Sequence, residues 1–240
     1  MANWRQVWSA RGLPEPAPGV SVEPLKMALR LDGYDTAMAK GLTPDAMRDL
    51  AAEWGNRVAF DPGDSVYEVG CGAGAFLAAV ADVHEPSQSA GSDYSRSLVT
   101  SGRALFPWID LEVHEGSQIP TEPRYTHVTC VGAFMYFSDL DYSAEVLDRM
   151  IAKSMRTVSI LDVPDLSTKA SSEAFRHQGH SDSDYEERYR GLDHLYFDRS
   201  WFLDHLAESE WHVEVADQAV EGYSNSGFRF NVFAQRRMLA

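Results

Sequence analysis

The chain has 240 residues, of which 44% are hydrophobic and 24% charged, and this balance is typical of a folded globular protein. Acidic residues outnumber basic residues by 36 to 21, which leaves a formal net charge of −15. Proteins that bind nucleic acids need a basic surface to neutralise phosphates, so this charge disfavours DNA and RNA as partners. Anionic membranes are disfavoured for the same reason, and the expected partner is a small molecule.

The chain contains two cysteines, Cys71 and Cys130, which are too few for a disulfide framework or a zinc cluster. We therefore expect no metal site. The first twelve residues lack the apolar segment of a signal peptide, and no stretch approaches 18 consecutive apolar residues. The sequence thus predicts a soluble, cytoplasmic protein.

The first 60 residues are predicted to form helices, interrupted by a proline- and glycine-rich break at 14–19. A helix over 44–56 carries its apolar residues at helical spacing, and Thr43 is placed to cap its first turn. A different pattern follows, in which short apolar strands take turns with helices.

That alternation begins with a strand at 65–69, a glycine-rich loop at 70–74 and an apolar helix at 75–83. The remaining elements of the alternation are strands at 89–92, 109–113, 125–131 and 157–163 and helices at about 95–104 and 139–153. Strands that alternate with helices of this length indicate βαβ units, in which a parallel sheet is covered on both faces.

Two segments fall outside the alternation. Residues 164–200 are polar and are predicted to be an insertion after the fifth strand. Residues 211–216 and 228–234 alternate in hydrophobicity, and the segment 222–227 between them suggests a hairpin. The two strands of a hairpin must be antiparallel to each other, so the sheet is predicted to end with an antiparallel pair.

The glycine-rich loop lies where the strand at 65–69 turns into a helix. Glycines permit a tight turn and a close approach of the backbone to a ligand, while the helix offers free N–H groups. Asp93 follows Gly70 by 23 positions, at the end of the second predicted strand, where a carboxylate can accept both ribose hydroxyls of an adenosine. These residues predict a nucleotide-like cofactor, but they do not separate NAD from S-adenosylmethionine.

Three motifs together resemble the class I S-adenosylmethionine-dependent methyltransferases. The first is the strand, acidic residue and glycine loop over 66–74, the second is the Gly-Ser-Asp-Tyr-Ser segment over 91–95, and the third is Glu-Gly-Ser-Gln-Ile-Pro over 115–120. The resemblance covers about 64–163 by motif and 200–236 by topology. It implies the fold of that family, which also ends in an antiparallel hairpin.

The resemblance also implies site residues. Glu115 is expected to contact the adenine amino group, Gly116 and Ser117 to line the ring, and the turn Leu31-Asp32-Gly33-Tyr34-Asp35 to contact the methionine part. The full set of predicted cofactor-binding residues is Tyr34, Glu68, Gly70, Cys71, Gly72, Asp93, Tyr94, Ser95, Glu115, Gly116, Ser117 and Gly132.

The sequence departs from the family pattern at three places. His127 stands where many relatives have an aspartate, and Ser154-Met155-Arg156 replaces a Pro-Gly-Gly turn. The Pro-Pro signature of amino-methylating nucleic-acid enzymes is absent at 132–136, which agrees with the acidic charge in disfavouring DNA or RNA.

In this fold the ends of strands four and five face the cofactor, so residues there are candidates for contact with a methyl acceptor. We predict catalytic roles for Tyr136, Asp162 and His194, the last because a histidine in a lid can act near neutral pH. The predicted acceptor-binding residues are Phe134, Arg190, Tyr196, Tyr223 and Arg229. A structural role stays open for each, as core aromatics for Phe134 and Tyr136 or a solvated turn around His194.

The sequence therefore predicts an α/β, Rossmann-like doubly wound, mostly parallel seven-stranded sheet with a C-terminal antiparallel hairpin and an N-terminal helical lid. The expected single domain over 1–240 consists of a lid at 1–60, a cofactor-binding core at 61–163, an acceptor lid at 164–200 and a final helix and hairpin at 201–240.

The expected function is methyl transfer from S-adenosylmethionine to a small molecule, at an oxygen of a sugar, nucleotide-sugar or natural-product intermediate. Two alternatives stay open, an NAD-dependent oxidoreductase and a non-catalytic methyltransferase-like binding protein. The identity of the acceptor and the oligomeric state are open as well.

Overall fold

The computed structural model describes residues 3–13, 23–34, 41–178, 180–207 and 210–237. The predicted break at 14–19 and Asp35 lie outside these ranges. No helix among the described residues has the length and apolar character needed to cross a bilayer.

The described residues form one mixed sheet of seven strands. The strands are β1 (Ser65–Val69), β2 (Gln88–Asp93), β3 (Asp110–Val113), β4 (Tyr125–Val131), β5 (Ser154–Pro164), β6 (Trp211–Asp217) and β7 (Arg229–Arg236). Their order across the sheet is β3-β2-β1-β4-β5-β7-β6. The first five strands are parallel, whereas β7 pairs antiparallel with both β5 and β6. This architecture confirms the predicted fold class.

Helices cover both faces of the sheet. The described helices are α1 (Trp4–Ser9), α2 (Pro24–Leu31), α3 (Pro44–Arg57), α4 (Ala75–Val83), α5 (Arg96–Leu105), α6 (Leu140–Lys153), α7 (Lys169–His177), α8 (Asp182–Tyr189) and α9 (Arg199–Ala207). Apolar side chains of α3, α4 and α5 form one core layer, and those of α6 and α9 form the other. Because both faces are covered, ligands must enter at the strand ends.

The core layers are anchored by side chains that are at most 2% exposed. They include Trp54, Leu77 and Leu98 on one face and Leu147 and Phe202 on the other. Burial of each such side chain contributes about 1.5–3 kcal/mol. Helix α3 therefore belongs to a core layer, although the sequence analysis placed its residues in the lid.

Helix boundaries follow from capping side chains. Thr43 accepts a hydrogen bond from the backbone N–H of Ala46, and Asp139 accepts one from that of Tyr142. Such caps satisfy N–H groups that have no partner within the helix. Strand β5 begins at Ser154, earlier than the predicted 157, because its pairing with β4 extends back to Tyr125.

The predicted insertion at 164–200 contains α7 and α8 and returns to the sheet through Phe197. Phe197 is fully buried and forms an isolated bridge with Asp165 at the end of β5. The backbone N–H of Leu195 donates to the carbonyl of Met135, just beyond β4. The segment before Phe197 thus runs along the carboxyl ends of the central strands.

Candidate active site

A cavity of about 480 Å³ lies at the carboxyl ends of β1, β2 and β4. Its walls are the loop after β1, the end of β2, the turn after β3, the end of β4 and helix α1. Strands β1 and β4 are neighbours in the sheet although β2 and β3 lie between them in sequence. The strand order reverses at this point, which is where open α/β sheets bind their ligands.

The loop after β1 is built from glycines in the left-handed region. Gly70, Gly72 and Gly74 have φ angles of 71°, 55° and 87°, which side chains with a Cβ rarely adopt. The backbone N–H groups of Gly70 and Cys71 donate to the carbonyl of Ser92 at 2.7 and 3.0 Å. The loop is thereby fixed against β2, with Gly70 and Gly72 lining the cavity.

Asp93 ends β2 and lies in the cavity wall. Its Oδ2 accepts the N–H of Gly72 at 3.1 Å, and its Oδ1 accepts the N–H of Ser95 at 2.7 Å. Burial raises the pKa of Asp93, although both hydrogen bonds act in the opposite direction. Each oxygen keeps a lone pair that a ligand hydroxyl can use. Asp93 therefore suits the predicted contact with ribose hydroxyls.

Glu115 follows β3 and is covered by helix α1. The Arg5 guanidinium forms an ion pair with the Glu115 carboxylate and lies 4.8 Å from the centre of the Tyr94 ring. Glu115, Gly116 and Tyr94 line the cavity, whereas Ser95 and Ser117 do not. Ser95 instead caps helix α5.

Glu68 lies at the back of the cavity and is 3% exposed. Its Oε2 atom is buried without a hydrogen-bond partner among the described residues. Burial raises its pKa well above the ordinary value, and the charges of Asp32 and Asp93 raise it further. A buried acceptor without a partner is costly, so Glu68 is placed to receive a ligand donor.

Asp32 follows helix α2 and reaches the same cavity. Its carboxylate accepts the N–H groups of Ala73 and Ala75 at 2.6 and 3.2 Å, at the start of helix α4. The sequence analysis had singled out this turn but chose Tyr34 as its site residue. The carboxylate was missed because only the fold brings it to the glycine loop.

Tyr34 lies against Gly132, which follows β4. A Cβ on Gly132 would come within 2.5 Å of the Tyr34 hydroxyl, so a side chain at 132 would displace the tyrosine. Both residues line the cavity, in agreement with their predicted position. Cys71 is buried and burial raises its pKa, so its thiol is a poor nucleophile.

An aromatic cluster closes the cavity opposite Asp93. The Tyr136 ring lies 4.7 Å from the Trp4 ring, 5.0 Å from the Trp8 ring and 5.5 Å from the His194 ring. His194 also stacks on Trp4, and the Trp4 indole N–H donates to the carbonyl of Asp193 at 2.8 Å. The structure therefore brings together the predicted residues Tyr136 and His194 under helix α1.

Sequence reasoning missed Trp4 and Trp8 as site residues. The signal was present, because tryptophans four positions apart lie on the same face of a helix. Their location over the cavity could not be read from the sequence, since it depends on how α1 packs against α5.

The titration of Tyr136 and His194 is shifted by their surroundings. Burial lowers the pKa of His194 to about 3, with smaller contributions from the charges of Arg176 and Arg229. Burial likewise raises the pKa of Tyr136 to about 12. At neutral pH the imidazole is therefore uncharged and the phenol is protonated. His194 is not part of the cavity wall itself, but it contacts Trp4 and Tyr136, which are.

Asp162 occupies a buried polar cluster next to the cavity. It is 3% exposed and has a φ angle of 61°, a conformation that is strained for a residue with a Cβ. Gln218 and Tyr223 donate to its carboxylate at 3.0 and 3.1 Å, and the Arg229 Nε lies 3.5 Å away. Burial raises its pKa while these partners lower it.

Asp162, Tyr223 and Arg229 are thus brought together, but they do not line the cavity. Asp162 lies 3.4 Å from the position of a Gly132 Cβ, and the ring centres of Tyr34 and Tyr223 are 6.3 Å apart. The cluster therefore lies directly behind the wall formed by Tyr34 and Gly132.

Three predicted acceptor-binding residues lie elsewhere. Phe134 is 1% exposed and packs against Phe197 and Phe202, so its ring offers no face to a ligand. The Tyr196 hydroxyl donates to the Ser172 Oγ within the insertion, away from the cavity wall. Arg190 projects into solvent, where it pairs with a glutamate of its own helical turn. The structure does not bring these three residues to the cavity.

Comparison with a known protein family indicates a methyltransferase domain in the central part of the chain. Residues 66–157 match a family model described as a methyltransferase domain. No curated protein matches the chain in sequence.

Solved structures of low sequence identity share the fold. Magnesium protoporphyrin IX methyltransferase from Synechocystis PCC 6803 with bound SAH is similar with a TM-score of 0.58 and 13% identity, over 97% of this chain and 92% of that chain. The plantazolicin methyltransferase BpumL in complex with a pentazolic desmethylPZN analogue and SAH gives a TM-score of 0.63 and 12% identity, over 87% of this chain and 88% of that chain. The small RNA methyltransferase HEN1 gives 0.61 and 14%, over 86% of this chain but 27% of that chain.

The chain thus combines a segment that matches a methyltransferase domain with a fold that solved methyltransferase structures share. The magnesium protoporphyrin IX methyltransferase and BpumL structures contain bound SAH. In this chain Glu68, Asp93, Glu115 and Gly116 line the cavity, and their roles in binding a cofactor stay predictions.

Proposed function

We propose that the protein transfers a methyl group from S-adenosylmethionine to an oxygen atom of a small molecule. We further propose that this oxygen is acidic, as in a carboxylic acid or phenol. The observation that carries the proposal is the single cavity that runs from Asp93 to Tyr136 beneath helix α1. One end suits the cofactor. The other end, lined by Trp4, Trp8 and Tyr136, is left for an acceptor with an apolar body.

Methyl transfer from a sulfonium is an in-line displacement, so the protein acts mainly by aligning the two reactants and excluding water. Helix α1 performs the second task by laying Trp4 and Trp8 over the cavity. A base is required only when the acceptor must lose a proton. With a pKa of about 3, His194 is a weak base, and this favours acceptors that ionise readily over sugar hydroxyls.

Positive charge near the aromatic cluster supports an acidic acceptor. Arg176 and Arg229 are close enough to lower the pKa of both His194 and Tyr136. Arg176 has a buried Nη1 atom without a hydrogen-bond partner among the described residues, and Arg229 has such an atom at Nε. Both arginines lie outside the cavity wall and Arg229 is paired with Asp162, so Arg176 is the cation that would favour an anionic oxygen over an amine here.

A small acceptor is supported by charge and size. The chain carries a net charge of −15, whereas nucleic-acid substrates require a basic surface. HEN1 shares the fold with this chain, but a shared fold does not transfer the substrate. The predicted cytoplasmic location and the predicted domain boundaries remain predictions.

The test is a methyl-transfer assay with radiolabelled S-adenosylmethionine and matched pairs of aromatic acceptors, each an acid or phenol and its amide or methyl ether. We expect labelled product only from the ionisable member of a pair. Transfer to amines alone would contradict the oxygen assignment, and transfer to RNA would contradict the small-molecule assignment.

His194→Ala tests the proposed positioning of the acceptor. We expect turnover to fall by about 100-fold, the lower end of the range for loss of a positioned acid or base. Affinity for S-adenosylhomocysteine should be unchanged. His205→Ala is the matched control, since His205 pairs with Asp148 and does not line the cavity. Normal turnover in His194→Ala would leave His194 a purely structural role.

A further inference from the structure

Helix α1 places two tryptophans over the acceptor end of the cavity, and their indole N–H groups differ. Trp4 and Trp8 both line the cavity, and both contact the Tyr136 ring. The Trp4 N–H donates to the backbone carbonyl of Asp193 at 2.8 Å. The Trp8 N–H is buried and has no hydrogen-bond partner among the described residues. The fold therefore uses one of the two donors and leaves the other without an acceptor.

The Trp8 indole is held in place on several sides. The Trp8 carbonyl accepts a hydrogen bond from the Ser95 hydroxyl at 3.1 Å, and the Arg11 guanidinium lies 4.4 Å from the centre of the indole. A Cβ on Gly33 would lie 2.7 Å from Cη2 and 3.4 Å from Cζ3 of Trp8, so the benzo edge abuts this glycine. The residue is only 8% exposed. The ring cannot turn toward a protein acceptor without losing these contacts.

The position of the benzo edge indicates which part of the cavity the N–H serves. Gly33 follows Asp32, whose carboxylate holds the start of helix α4 beside the glycine loop, so the benzo edge faces the cofactor end. The N–H is on the pyrrole ring, at the other end of the indole. Because the Trp8 ring also packs against Tyr136, just beyond β4, the free donor belongs to the acceptor end.

An oxygen atom of the acceptor would satisfy this donor. A buried N–H without a partner costs free energy, and an indole N–H can only donate. The bound group must therefore present a lone pair, which a protonated amine lacks. An anionic oxygen forms a stronger hydrogen bond than a neutral one, so an anionic group matches the Trp8 donor best.

We propose that Trp8 is a specificity-determining residue whose indole N–H donates a hydrogen bond to a carboxylate of the methyl acceptor. One carboxylate oxygen accepts this bond while the other attacks the methyl carbon. The attack forms a C–O bond and breaks the C–S bond of S-adenosylmethionine, whose electron pair stays on sulfur. The product is a neutral methyl ester, and no proton is removed. A phenolate has a single oxygen, which would have to accept the hydrogen bond and attack at once.

This inference rests on the function proposed above and narrows the acceptor to a carboxylic acid. The experiment is calorimetric titration of 2-naphthoate and 2-naphthol into the S-adenosylhomocysteine complexes of the wild-type chain, Trp8→Phe and Trp4→Phe. Phenylalanine keeps an apolar ring but removes the N–H. We expect Trp8→Phe to bind 2-naphthoate at least about tenfold more weakly, as for loss of a hydrogen bond to a charged group. Affinity for 2-naphthol, which is uncharged at neutral pH, should fall much less.

Trp4→Phe is the matched control, because it removes an indole N–H that already has a protein acceptor. It should change the affinities for the two probes by the same factor. Equal losses for both probes in Trp8→Phe would overturn the inference and leave the proposed function in place. A loss of S-adenosylhomocysteine affinity as large as the loss for 2-naphthoate would also overturn it, because the N–H would then serve the cofactor.

A second measurement observes the Trp8 donor in the wild-type chain. The chain has six tryptophans, and ¹⁵N-labelled tryptophan gives an indole N–H signal for each in nuclear magnetic resonance spectra. We expect 2-naphthoate to shift the Trp8 signal downfield in the S-adenosylhomocysteine complex and to leave the Trp4 signal in place. A Trp8 signal that does not move although 2-naphthoate binds would overturn the inference. A wild-type complex that binds neither probe would overturn the acidic acceptor of the proposed function itself.

Discussion

Both ends of the parallel sheet bury charged side chains, but the two ends arrange them differently. At the amino ends of β1, β4 and β5, Asp64, His127 and Arg156 form a cluster of opposite and complementary groups. At the carboxyl ends of β1 and β2, Asp32, Glu68 and Asp93 face one cavity with like charges.

The amino-end cluster, formed by Asp64, His127, Arg156 and Thr157, is closed by its own hydrogen bonds. His127 is fully buried, with Nδ1 2.7 Å from the Thr157 Oγ1 and Nε2 3.0 Å from the Asp64 Oδ2. Arg156 donates to the same Asp64 oxygen at 2.5 Å. Each charge here has an opposite charge or a polar partner within the protein.

The two ends of the sheet therefore use buried charged groups differently. Those at the amino end stabilise the fold, whereas those at the carboxyl end are available to a ligand. Burial raises the pKa of Asp64, but hydrogen bonds and the charges of His127 and Arg156 outweigh burial and leave the pKa below its ordinary value. At the carboxyl end, burial and like charges raise the pKa of Asp32, Glu68 and Asp93. Carboxyl groups whose pKa values are shifted by burial and by one another inside a cavity are typical of a functional site.

The largest expected effect is on the ribose contact. Asp93→Ala removes the acceptor that fixes Gly72 and Ser95 and that we assign to the ribose hydroxyls. We expect affinity for S-adenosylhomocysteine to fall about 100-fold, or about 2.7 kcal/mol, in calorimetric titration. Asp64→Asn, the control at the amino end, should bind normally. Unchanged affinity in Asp93→Ala would remove its assigned role.

The second effect concerns stability at the amino end. Asp64→Asn leaves His127 and Arg156 without their shared counter-ion, so we expect the free energy of unfolding to fall by about 2 kcal/mol in urea denaturation. Asp32→Asn removes a like charge but keeps only one of the two oxygens that accept the N–H groups of Ala73 and Ala75, so we expect a smaller loss of stability there. Equal losses in the two variants would contradict the contrast between the ends.

The amino-end cluster also sets a pH dependence. Burial lowers the pKa of His127 to about 4, even though Asp64 raises it, so the unfolded chain binds this proton more readily than the folded chain. The contribution of His127 to stability is therefore complete above about pH 6.5 and is lost as the pH falls toward 4.

The fold could be predicted because its signals are local. The strand at 125–131 and the helix at 75–83 lie where periodicity placed them, and Thr43 caps the predicted helix. The glycine loop and Asp93 could also be placed, because their spacing along one βαβ unit fixes their distance in space.

The acceptor end could be predicted only in part, because it joins segments that are distant in sequence. Trp4 contacts Tyr136 and His194 from helix α1, a contact that no spacing encodes. Phe134 follows the correct strand but points into the core, because it begins a short helical turn over Phe134–Tyr136 that directs the two aromatic side chains differently. Side-chain direction in such a turn depends on packing and not on the order of residues.

The third effect sharpens the contrast through pH. Asp32 has a pKa of about 7, so it ionises between pH 6 and 8. If the ionised form contacts the α-ammonium group of S-adenosylhomocysteine, the affinity for this ligand should rise about tenfold across that range. The charges of Asp93 and Arg11 act on the pKa of Asp32. Asp32 in turn raises the pKa of Tyr34 and of Glu68. Asp32→Asn should therefore flatten the profile measured by titration, and an unchanged slope would assign it to the neighbouring groups.

The smallest effect is expected at the rim of the cavity. Arg5 and Glu115 form an ion pair whose side chains are 62% and 30% exposed, and exposed pairs contribute about 0–1 kcal/mol. Arg5→Gln should therefore change S-adenosylhomocysteine affinity less than threefold in calorimetric titration. In 0.5 M NaCl the difference in affinity between Arg5→Gln and the wild-type chain should be smaller still, because salt screens exposed charges. Freed Glu115 would still be available to the adenine. A loss above tenfold would show that α1 holds the cofactor through the Arg5–Glu115 pair. Charged side chains at the rim would then contribute to the binding affinity in addition to the buried carboxylates.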